Sequence, residues 1–149
     1  MKRKVHAVAS FLSLLFLLSF WSSTAFAELF LSQSAIVQVK QSIAYALLLF
    51  VPAMMTTAAT GFAMGGKGKH PLLVNKRKRM PFIAANGLLV LVPAAIFLSS
   101  RAQAGMFDSL FYGVQVVELA AGAINVSLIG LNIRDGLRLS SRRSASATQ

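Results

Sequence analysis

The chain has no cysteine among its 149 residues, which excludes disulfide bridges, thiol nucleophiles and cysteine-ligated metals or clusters. Acidic groups are nearly as scarce: four Asp and Glu stand against 15 Lys and Arg. There are two histidines, His6 and His70; removal of a leader that carries His6 leaves one, too few for a haem held by two imidazoles. Catalysis needs a positioned base, nucleophile or metal, and with so few of these groups an enzyme is the weakest reading. Charged residues make up only 13% of the chain, against roughly 25% in a soluble domain. In their place stand hydrophobic residues, 56% of the total, gathered in runs too long for the helices of a soluble core. The alternating segments of about ten residues that a transmembrane barrel requires are missing. The expected class is therefore an all-α integral membrane protein, with no cofactor.

The net charge of +11 first suggests a nucleic-acid partner, but the positions of the charges do not. Lys2, Arg3 and Lys4 precede the first apolar run. Lys67, Lys69, Lys76, Arg77, Lys78 and Arg79 lie between two later runs, and Arg134, Arg138, Arg142 and Arg143 follow the last. Basic clusters that abut apolar spans are what the positive-inside rule describes, and no aromatic platform or groove-reading motif accompanies them. Nucleic acid is not an expected partner. The bilayer is, with anionic headgroups against the basic loop.

Residues 1–27 have the layout of a secretory signal peptide: a basic start, an apolar stretch from Val8 to Trp21, and small residues in Ala25-Phe26-Ala27. The same stretch is apolar enough to be a first span. The fold follows as a three-helix antiparallel bundle after cleavage, or four helices without it. The membrane domain covers 28–139, with spans near 43–64, 81–99 and 109–133. Residues 28–41 read as an interfacial lead-in or as the early turns of a tilted helix, and the polar tail 140–149 as disordered and cytoplasmic. Because the basic clusters share one side, the location follows as the inner membrane, multi-pass, with the mature N-terminus outside and both the loop 65–80 and the C-terminus in the cytoplasm.

Pro52 and Pro93 are expected to bend their spans, and Thr56, Thr57 and Thr60 to bond to carbonyls that Pro52 frees. Gly61 to Lys67 matches the spacing of a phosphate loop, but Gly68 replaces the hydroxyl residue that would hold the metal. That match is discarded.

The most informative stretch is the last span. On a helix, Gln115, Glu118, Gly122, Asn125 and Asn132 share one face, while the other faces carry only apolar or small side chains. A carboxylate inside a span costs roughly 2.5–3.5 kcal/mol, so Glu118 requires compensation. With no basic residue inside the expected spans, depth matching assigns two polar layers. The outer one joins Glu118 and Gln115 to Tyr45; the inner one joins Asn132 to Asn86 and Thr60. The expected function is a non-enzymatic packing or accessory component, as a homo-oligomer or in a larger membrane complex. The alternative is a small transporter, or a proton- or cation-coupled subunit, centred on Glu118.

Overall fold

The computed structural model describes residues 2–65 and 71–146. It is all-helical, with no strand among the described residues. Helix α1 is Lys2–Phe30, α2 is Gln33–Gly65, α3 is Pro71–Asn86, α4 is Val92–Gln103 and α5 is Ser109–Ser146. A π-helical turn, Gly87–Leu91, joins α3 to α4. Among the described residues, four stretches are long and apolar enough to cross a membrane: Lys4–Phe30, Gln33–Ala63, Arg77–Gln103 and Ser109–Arg138. Four such helices fit a small membrane protein.

Each helix packs on its neighbours in a closed ring: α1 on α2, α2 on α3 and α4, α3 and α4 on α5, and α5 back on α1. The connections explain the tight packing. Only Leu31 and Ser32 separate α1 from α2, and the Ser32 carbonyl accepts from the Ile36 N–H at 3.0 Å. At the end of α4, Met106 N donates to the Arg101 carbonyl and Gly105 N to that of Ala102, at 2.9 and 3.0 Å. This is the Schellman arrangement. Gly105 supplies the left-handed residue it needs, with φ +68°. Asp108 then caps α5, its Oδ1 accepting from the Phe111 N–H at 3.0 Å. Its carboxyl is held below the usual range, first by that backbone N–H and then by the Arg101 guanidinium, with which it pairs.

The core has two centres. One, near the middle, gathers Leu17, Ile43, Leu47, Phe50, Met54, Leu91, Ala95 and Ala121. The other, beside the two short connections, gathers Ala27, Ile36, Leu98, Ala102 and Phe111. The outer surface stays apolar: Leu48, Leu89 and Val116 are exposed, as suits side chains with acyl chains for solvent.

Several expected boundaries shift. Helix α3 begins at Pro71, not Pro81, so Lys76, Arg77, Lys78 and Arg79 lie on a helix. Pro71 takes the first position, where a missing N–H is harmless, and Leu, Val, Lys and Arg after it are adequate helix formers. Lys67 and Lys69 lie outside the described residues. Helix α5 runs through Asp135-Gly136 to Ser146, because one glycine costs a helix only about 1 kcal/mol. The π turn sits just before Pro93, and the Val92 N–H bonds to the Gly87 carbonyl. A widened turn of this kind accommodates the donor that a proline removes. The threonines behave otherwise than expected. Pro52 frees the Leu48 carbonyl, whereas Thr57 Oγ1 donates to Ala53 O at 2.9 Å and Thr60 Oγ1 to Thr56 O. These are ordinary bonds back along the helix.

Candidate functional site

The inward face of α5 carries polar residues along most of its length. Gln115, Asn125, Asn132 and Asp135 are buried. Each meets a different part of the bundle.

Glu118 is compensated by a residue that depth matching passed over. Lys40 Nζ donates to Glu118 Oε2 at 2.6 Å, and the lysine side chain is 1% exposed, the glutamate 12%. Gln115 Nε2 donates to the same oxygen at 3.1 Å. The Gln115–Glu118 contact is as expected. Tyr45 is not a partner: it is exposed, and its hydroxyl accepts from Gln41 Nε2 at 3.3 Å. The reason lies in where α2 begins. Of the two readings of this segment the helical one holds: residues 33–41 are the first turns of α2, so Lys40 sits about 10 Å along the helix at 1.5 Å per residue. It is also in phase with Ile36, Ile43 and Leu47, all buried. That phase was the available signal: a lysine at steps of four, three and four among inward aliphatics points inward. Glu28 of α1 lies within electrostatic reach of both Lys40 and Glu118, and its Oε1 is buried without a hydrogen-bond partner.

Near the middle, Asn86 Nδ2 donates to Asn125 Oδ1 at 2.9 Å and to the Ala121 carbonyl at 3.0 Å. Asn125 Nδ2 donates to the Ile83 carbonyl at 3.3 Å. Two amides thus clasp α3 to α5. The expected inner layer is accordingly divided: Asn86 joins Asn125 rather than Asn132 and Thr60. Thr60 instead meets His6 of α1, whose Nδ1 lies 3.0 Å from Thr60 Oγ1. One turn on, Ser13 and Thr57 hydroxyls are 3.4 Å apart. Asn132 is buried, and its Oδ1 has no hydrogen-bond partner.

Arg79, expected to face headgroups, pairs with Asp135 across α3 and α5 at 2.7 Å, and Arg134 adds a longer contact at 3.5 Å. Asp135 is 2% exposed while Arg79 keeps part of its surface open. Helix α1 adds one further polar contact: Trp21 Nε1 donates to the Leu119 carbonyl at 2.9 Å. It lies against Gly122, where an added Cβ would stand 2.8 Å from Trp21 Cδ1. Only glycine lets the indole this close.

Chemically the arrangement joins helices. Its polar groups are amides, hydroxyls, the His6 imidazole, the Trp21 indole, the Glu28 carboxyl and two ion pairs, and among the described residues no cluster of three His, Asp or Glu could hold a metal. No protein-family model, curated protein or solved structure matches the chain.

Proposed function

We propose that the protein is a four-span protein of a bacterial-type inner membrane, with α1 retained as its first span. In this reading it acts as a non-enzymatic, packing or accessory component of a membrane assembly. The observation that carries the reading is the engagement of Glu118: its carboxylate is held by an ammonium and an amide from within the bundle. A carboxylate whose charge is cancelled in place is suited to locking helices rather than to loading and releasing protons. Retention of α1 is supported by its side-chain bonds to α2 and α5, and by Ala27, the last residue of the candidate cleavage site, which is 1% exposed within a helix. The basic ends then lie together in the cytoplasm, and the Leu31–Ser32 and Ala104–Asp108 connections lie outside.

A second reading, a cation- or proton-coupled subunit, is favoured by Glu28. Its carboxyl shares the single lysine with Glu118, and its Oε1 is buried without a hydrogen-bond partner. The discriminating experiment is capture of the tagged chain in mild detergent, with the partners identified by mass spectrometry, for wild type and Glu118→Gln. The accessory reading predicts that partners, or a homo-oligomer, are recovered with wild type and recovered less with Glu118→Gln, which leaves the buried Lys40 ammonium without its counter-charge. Loss of a proton- or cation-dependent phenotype in Glu118→Gln, with assembly intact, would establish the second reading instead.

A further inference from the structure

Between α1, α2, α3 and α5, toward the basic end, lies a cavity of about 370 Å³. A single water needs only about 10–15 Å³ of such space, and pockets for small ligands begin near 300 Å³. Its walls differ in character. One is the seam of α1 and α2, lined by His6, Ser10, Ser13 and Thr57, whose imidazole and hydroxyls bond to one another and to Thr60. Another is α5, where Asn132 lines the cavity with a buried Oδ1 that no group of the protein satisfies. Between these polar stations the lining is apolar, with Met54, Met80, Ile83 and Ile129 among it. Phe11 and Leu137 at the margin are exposed on the outer surface of the bundle, so a tail reaching out there would enter acyl chains.

We propose that this cavity binds a lipid-soluble ring compound with oxygen functions at opposite edges, of the quinol and quinone class. The apolar walls take the ring, a hydroxyl at one edge donates to Asn132 Oδ1, and the oxygen at the other edge meets the hydroxyl and imidazole groups of the α1–α2 seam. A lipid acyl chain would fill the same volume but leave the Asn132 carbonyl oxygen unpaired, an unfavourable state for a buried acceptor. The proposal is independent of the Lys40–Glu118 pair, since that pair does not line the cavity.

The test is photolabelling of the full chain in nanodiscs with an arylazido-quinone, with labelled residues located by mass spectrometry. Labelling is expected on cavity residues. It should be displaced by excess decylubiquinol but not by dodecane. Asn132→Leu should weaken the decylubiquinol competition about tenfold. Ala84→Leu, which fills the cavity from α3 and deletes no polar group, should abolish specific labelling with thermal unfolding unchanged; Ala58→Leu does the same from α2 if the first variant misfolds. Equal displacement by dodecane would assign the cavity to acyl chains and overturn the proposal. So would labelling that decylubiquinol does not displace, or wild-type labelling in both filled variants.

Discussion

Replacing Lys40 by methionine keeps the length of the side chain and removes its charge. Glu118 is then left with Gln115 alone in a site where it is 12% exposed. Breaking a buried pair by removing one partner costs about 3–5 kcal/mol. The Lys40→Met variant should therefore be destabilised by about 3–5 kcal/mol. Glu118→Leu, which leaves Lys40 with Glu28 alone within electrostatic reach, should be destabilised in the same direction. The assay is unfolding in mixed micelles by a denaturing detergent, followed by circular dichroism. Two single variants within about 0.5 kcal/mol of wild type would show that the pair is solvated and does not hold the bundle.

Further outcomes follow from the other contacts. Gly122→Leu should expel Trp21, the only tryptophan, costing about 1–3 kcal/mol by overpacking; a shift in tryptophan emission reports it, and unchanged emission would contradict the close approach of α1 to α5. Asn125→Leu removes the amide clasp and should cost about 1–2 kcal/mol in the same unfolding assay, with no pH dependence. Asp108 is held below its usual range in the folded chain, so its contribution is complete above about pH 4. It is lost as the pH falls below that, through the lowered folded value; Asp108→Asn should flatten the acid limb of the stability profile.

The class of fold was legible because it rests on composition and run length, which no tertiary contact can hide. The inward stripe of α5 was legible too, since one face of a helix is fixed by its period: Gln115, Glu118, Asn125 and Asn132 all turn inward. Partner choice was not. Run length alone starts a span where charge ends, which leaves Lys40 at the surface and Tyr45 as the residue level with Glu118. A long apolar helix can carry one lysine inside when a carboxylate waits at the same level, and only the packing of α2 against α5 reveals that level. The same applies to Arg79, read as a headgroup contact because its neighbours are basic, whereas Asp135 one helix away neutralises it. His6 and Ser13 lie in the leader-like segment, where positions 6, 10 and 13 nonetheless mark one helical face.

The most direct test of the account concerns whether α1 belongs to the bundle at all. The chain is naturally free of cysteine, so the double variant Ser13→Cys/Thr57→Cys introduces a single possible bridge, where the native hydroxyls are 3.4 Å apart. Oxidation of the purified variant should convert most of it to an internally bridged form that migrates faster on a non-reducing gel, as close-packed α1 and α2 require. A mature chain that lacks residue 13, or one that retains it and forms no bridge, would contradict the four-helix account.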